Sequence, residues 1–193
     1  MKGLRKKGRL EMAEGETNEC RRTRLRRRAI ALLNGTSMLA AVTAAAILLE
    51  TLLFPVLQIF GTSMAPALYE GDFVVAMRYV TPKRGDIVAF NSNDRILVKR
   101  VIALPGEQVD IDIDGNVYID GIWLEEPYIN ELSYGGCDIS FPIRVPPGSV
   151  FVMGDNRGIS VDSRSSAVGC ILEEHLIGKL LFRIWPMGRL NGF

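Results

Sequence analysis

Two hydrophobic patterns divide the chain. From Ala29 to Leu49 (AIALLNGTSMLAAVTAAAILL) 21 residues pass without a charge, and apolar character resumes after Glu50 as TLLFPVLQIF. About 20 helical residues cross a hydrocarbon core roughly 30 Å thick, so this stretch predicts one membrane helix. Asn34, Gly35, Thr36 and Ser37 dilute its start, which centres the helix on Ser37 to Leu53, and Pro55 ends or kinks it. A buried core helix is the rival reading, but the 32 residues from Ala29 to Phe60 carry one charge, more apolar chain than a small domain buries around one helix. A cleaved leader also opens with a basic stretch before an apolar run, although its apolar part is usually shorter, which favours a retained anchor.

Past Phe60 the period changes from helical to alternating. DFVVAMRYV, GDIVAFN, ILVKRVIAL, VDIDIDGNVYID, FPIRV and SVFVMGD are short β-branched or aromatic runs punctuated by Gly, Pro and Asp, as in an all-β domain. The clearest is a hairpin. Val109, Ile111 and Ile113 share one face, Asp110 and Asp112 the other, and Asp114-Gly115-Asn116 turns into Val117-Tyr118-Ile119. Leu172 to Leu176 reads as one short helix. The expected organisation is a basic tail (1–28), an anchor (29–57) and a β-rich domain (58–193), with a small β insertion at about 108–148.

Charge adds an orientation. The 193 residues sum to +1, yet Met1 to Arg28 hold 11 Lys and Arg against 4 Glu, and the remainder is acidic. Six Arg between Arg21 and Arg28 abut the apolar run. Such charges stay cytoplasmic, which predicts an extracytoplasmic β domain at the cell membrane, with anionic-lipid contact a secondary effect.

Composition also excludes chemistries. Three Cys and one His, without CxxC or HExxH, argue against zinc, haem or iron–sulfur sites. There is no GxGxxG or P-loop, and no aromatic-studded basic surface for nucleic acid. No cofactor, metal, nucleic acid or obligatory protein partner is expected.

Three polar patterns remain within the β domain. Gly61-Thr62-Ser63-Met64-Ala65-Pro66-Ala67-Leu68 follows the anchor, with Gly61 and Pro66 suited to hold a serine hydroxyl on a turn. In the run from Arg95 to Gly106, alternation puts Leu97, Lys99 and Val101 on one face and Val98, Arg100 and Ile102 on the other. One of the two adjacent cations should therefore face apolar surroundings. Gly154 to Arg164 (GDNRGISVDSR) is a dense polar loop. Locally, the first two read more simply as a turn serine and a solvent-reaching strand lysine, and the third could be an Asx-rich turn.

Taken together and in order, these blocks, with Gly71-Asp72 and RGDIVAF from Arg84 to Phe90, resemble bacterial type I signal peptidases that use a lysine. The resemblance runs from the anchor to Trp185-Pro186 and implies a coiled antiparallel β-sheet catalytic domain behind one membrane helix. It also implies a serine endopeptidase that removes signal peptides from exported preproteins after small residues at −3 and −1. Ser63 would be the nucleophile and Lys99 the general base. Ser160 would hydrogen-bond the Lys99 amine, and Asp162 and Arg164 would form an ion pair shaping the site. Ile59, Phe60, Met64, Leu68, Leu97 and Val98 match positions that contact the signal peptide. Some members carry a serine two positions before the nucleophile to assist the oxyanion; here that position is Gly61. His175 has no catalytic counterpart in the family. Cys137 and Cys170 would lie on the oxidising side, where a disulfide is open to them, and Cys20 would be a cytoplasmic thiol. A membrane-anchored binding module would share the composition without needing these polar residues together. A peptidase dedicated to a few exported proteins fits as well as a general one.

Overall fold

The computed structural model describes residues 36–187. Helix α1 (Thr36–Leu53) is long and apolar enough to cross a membrane, and its side chains are largely exposed. It ends two residues before Pro55, whose ring cannot continue the helical hydrogen bonding. The β-rich unit begins at Thr51. The first seven residues of the expected helix, the basic tail and Cys20 lie outside the described residues.

The β-rich unit has two sheets, antiparallel throughout. The larger takes the order β1-β2-β11-β3-β4-β9-β10, comprising Val56–Gln58, Phe73–Met77, Leu176–Trp185, Ile87–Ser92, Arg95–Ala103, Ser149–Met153 and Ile171–Leu172 respectively. The smaller takes the order β7-β6-β5-β8, comprising Ile122–Trp123, Val117–Ile119, Gln108–Ile111 and Ile143–Arg144. It occupies the stretch read as an insertion.

Alternation along β3 shows why the large sheet is buried on both faces. Ile87 and Ala89 join a core with Met64, Leu68, Val74 and Leu180, whereas Val88 and Phe90 join one with Val101, Val150 and Val152. A third core, containing Ile102, Val109, Val117, Phe151 and Met153, joins the two sheets.

Several details depart from the sequence reading. The hairpin pairs Val109 with Ile119 and Ile111 with Val117, but β5 stops at Ile111, and Ile113 is 82% exposed. The Asp112 carboxylate causes this: it accepts from the Asp114 and Asn116 backbone N–H groups and from Asn116 Nδ2, replacing a tight two-residue turn by a wider one. Leu172–Leu176 is not a helix beyond one 3-10 turn, Glu173–His175, which has no side-chain cap and lies between two strands. β1 and β11 were not anticipated. The chain enters the sheet at Val56, within the stretch read as anchor. Cys137 and Cys170 are free thiols, so the disulfide open to them is not formed.

Phe151 is fully buried and meets Phe141 edge-to-face, with ring centroids 6.2 Å apart. Phe151→Ala should lower unfolding stability by about 3–5 kcal/mol. A denaturant midpoint unchanged from wild type would show that the joining core contributes little.

Candidate active site

Ser63 sits on the turn between β1 and β2, where Gly61 has a φ of +79°, a left-handed conformation that a side chain disfavours. Two bonds from the 154–164 loop hold the turn. The Asn156 backbone N–H donates to the Ser63 carbonyl (3.0 Å) and Asn156 Nδ2 donates to the Thr62 carbonyl (3.3 Å). The Ser63 and Lys99 side chains meet, with Nζ 2.6 Å from Oγ.

Lys99 is on β4, paired across the strand with Val88, and only 3% exposed. Burial is the main reason its amine falls from 10.5 to about 8; Asp162 and Asp155 pull it upward, and Arg164 lowers it further. Desolvation therefore prevails over two nearby carboxylates. The adjacent Arg100 is fully buried as well, so both cations leave water, not one. Arg100 pairs with Asp155 through two bonds of 2.8 and 2.6 Å.

The 154–164 loop brings the remaining expected residues to the same place. Arg164 Nε and Nη2 donate to the two Asp162 oxygens, each at 2.9 Å. Burial would raise the Asp162 carboxyl, but the bonds and charge of Arg164 and the Gly154 N–H outweigh it and hold the group below the usual carboxylate range. Ser160 is buried close by, and among the described residues its hydroxyl has no hydrogen-bond partner. The expected bond from Ser160 to the Lys99 amine is thus absent. Nζ is engaged with Ser63, and the Ser160 side chain packs against the open face of Gly154.

A cleft of about 510 Å³ runs from this cluster between residues 56–61 and Arg95–Lys99, with Ser63 and Met64 in its lining. Ile59, Phe60, Met64, Leu97 and Val98 line it; Leu68 does not, being fully buried in the core. Among the described residues, β1 and β4 present unpaired edges here. β1 is the last strand of its sheet, and β9 pairs with β4 only from Arg100 onward. His175 is exposed on its 3-10 turn and lines neither this cleft nor the Ser63–Lys99 contact.

A family model described as "Signal peptidase, peptidase S26" matches residues 32–185. The chain belongs to the signal peptidase I family. That family comprises serine-protease hydrolases that remove signal peptides, and this chain is an enzyme of the same class. The signal peptidase I of Bacillus licheniformis is 36% identical over 159 residues, covering 76% of this chain and 84% of its own. Signal peptidase I T of Bacillus subtilis (strain 168) is 35% identical over 170 residues, covering 81% and 86%. The crystal structure of a signal peptidase I from Enterococcus faecalis V583 is 33% identical, with a TM-score of 0.44 over 53% of this chain and 98% of that one.

The sequence reading of this signal peptidase I family member missed two contributors, Gly154 and Asn156. A Cβ on Gly154 would lie 2.6 Å from the Ser63 carbonyl oxygen and from Ser160 Cβ. Gly154→Ala should therefore displace the Ser63 turn and lower kcat by about 100-fold, as misplacements near 1 Å do. Peptide cleavage by the folded variant at the wild-type rate would contradict this.

Burial of the Lys99 cation also has a cost to stability. With a folded value of about 8 against 10.5, the cost is fully present below about pH 8 and is relieved as pH rises through 10.5, where the unfolded chain also loses its proton. The difference corresponds to about 3 kcal/mol. Lys99→Met should raise the thermal midpoint at neutral pH, with the gain shrinking at higher pH. A lower midpoint at neutral pH would contradict a desolvated ammonium.

Proposed function

We propose that this enzyme is a membrane-anchored endopeptidase that removes N-terminal signal peptides from exported preproteins, with Ser63 as nucleophile and Lys99 as general base. The observation that carries the proposal is the 2.6 Å contact between the serine hydroxyl and a lysine whose burial lowers it to about 8. An ordinary lysine, near 10.4, is almost wholly protonated at neutral pH and cannot accept a proton. One tuned to roughly 7–8 can.

The neutral amine takes the Ser63 proton as Oγ bonds to the scissile carbonyl carbon. The tetrahedral oxyanion collapses, and the departing amine of the mature chain takes that proton from the Lys99 ammonium. An ester remains between Ser63 and the signal peptide. Lys99 then removes a proton from water as the water oxygen adds to the ester carbon. Oγ leaves with the proton, releasing the signal peptide as a carboxylic acid. The Ser63 N–H, which donates to no other group among the described residues, is the oxyanion donor; loss of such a donor typically costs about 10²–10³ in rate. Asp162 and Arg164 fix the loop beside the dyad, and Ser160 fills the space against Gly154.

The substrate lies in the cleft as an added strand, using the free edges of β1 and β4 for main-chain hydrogen bonds. Small side chains at −1 and −3 fit against Ile59, Phe60, Met64, Leu97 and Val98, whereas Leu68 supports Met64 from the core. Helix α1 anchors the chain in the lipid bilayer, with the basic tail cytoplasmic and the β domain extracytoplasmic. Ser63 follows Leu53 by only ten residues, which suits a cleavage site emerging from the membrane.

Detergent-solubilised wild type should cut an Ala-x-Ala preprotein, whereas Ser63→Ala and Lys99→Ala should each be inactive. Wild-type cleavage should increase with pH around a midpoint near 8. Cleavage by Ser63→Ala, or a wild-type midpoint near 10.5, would overturn the mechanism.

A further inference from the structure

Three buried arginines lie on β4 beside Lys99 or on the 154–164 loop that holds the Ser63 turn, and each is held in part by one irregular stretch of the insertion. Glu126 accepts from both Arg157 Nη atoms (2.8 Å from Nη1), with the two side chains 4% and 0% exposed. The Arg100 guanidinium lies 4.0 Å from the centroid of the Tyr128 ring. Arg164 Nη1 donates to the Ser133 and Tyr134 carbonyls at 3.1 and 2.9 Å. Guanidinium groups removed from water need such partners, because an unpaired buried cation is strongly destabilising. The first contact leads straight to the site. Arg157 Nε donates to the Gly154 carbonyl (3.1 Å), and the Gly154 N–H donates to Asp162 (2.9 Å). Gly154 itself packs against Ser63 and Ser160.

We propose that Glu126 is a positioning residue for the peptidase reaction: through Arg157 it fixes the Gly154 backbone against Ser63. The proposal rests on the Ser63–Lys99 reading. Glu126 touches neither of those residues; it acts by keeping the loop closed around the lysine. Lys99 faces Asp162, Asp155 and Arg164 as its charged neighbours, with Ser63 at its tip. Loosening Gly154 would admit water to that group, weakening the desolvation that holds the amine down. Tyr128 strengthens the clamp by donating its hydroxyl to Glu126 Oε1 (2.6 Å).

A buried carboxylate paired with arginine also supports folding, so the test separates the two roles. Full-length Glu126→Gln, Tyr128→Phe and Lys99→Ala would be compared with wild type in detergent, measuring kcat, KM and pH dependence on an Ala-x-Ala peptide, normalised to folded protein. Glu126→Gln should lower kcat about 10–100-fold with KM within about twofold, as expected for a misplaced catalytic group. Its pH midpoint should move up by about one unit as desolvation weakens. Tyr128→Phe keeps the ring beneath Arg100 and removes only the hydroxyl, so it decides the matter if Glu126→Gln does not fold; it should shift kcat and midpoint in the same directions, by less. Wild-type kcat and midpoint in whichever of these variants folds would overturn the proposal, as would a raised KM with unchanged kcat. Activity in Lys99→Ala would overturn the Ser63–Lys99 reading itself, whatever the other two variants do.

Discussion

The site depends on the burial of one ammonium group. Lys99 sits where water cannot solvate its charge, yet two carboxylates, Asp162 and Asp155, lie near enough to favour that charge. Had the carboxylates prevailed, almost none of the amine would be neutral at neutral pH, and the serine beside it would lack the base proposed for it. Both acids are already committed, Asp162 to Arg164 and Asp155 to Arg100. Arg164 offsets part of that pull at Lys99, the smallest of the four effects, and desolvation remains dominant. The Asp162–Arg164 pair thus does more than shape the loop: its guanidinium works against the upward pull of the acids on the lysine.

This constraint explains why so polar a loop is buried. Asp155, Arg157, Ser160, Asp162, Ser163 and Arg164 are all nearly inaccessible, an expensive arrangement unless every charge is matched. The large sheet supplies Lys99 and Arg100, the β1–β2 turn supplies Ser63, and the insertion supplies Glu126 and the Ser133 and Tyr134 carbonyls. Segments distant in sequence therefore share one electrostatic network, and the core around Phe151 ties the insertion's sheet to the strands that carry it.

Local alternation was legible where one face of a strand is buried, as at Val109–Ile111 paired with Val117–Ile119. It failed at Ile113 because side-chain capture by Asp112 closed the turn early. Strand β11 escaped notice for a different reason. It pairs with both β2 and β3, and its charged residues Lys179 and Arg183 find Asp86 and Asp72, so LIGKLLFRIW lacks a clean polar face. Ser63, Lys99, Asp162 and Arg164 were singled out by ordered motif blocks and meet in one cluster, but motif order says nothing about hydrogen bonds, and Ser160 makes none to Lys99. Leu68 shared the motif and yet lies in the core. Glu126 was unreadable: a carboxylate in a Pro-containing loop looks solvent-facing until its partner, 31 residues away, is brought beside it.

The most direct test is a carbon-13 NMR titration of the Lys99 side chain in the intact, detergent-solubilised protein, assigned by its disappearance in Lys99→Arg. Deprotonation centred near pH 8 is what a desolvated amine requires. A midpoint near 10.5, the ordinary lysine value, would mean that the buried base does not exist.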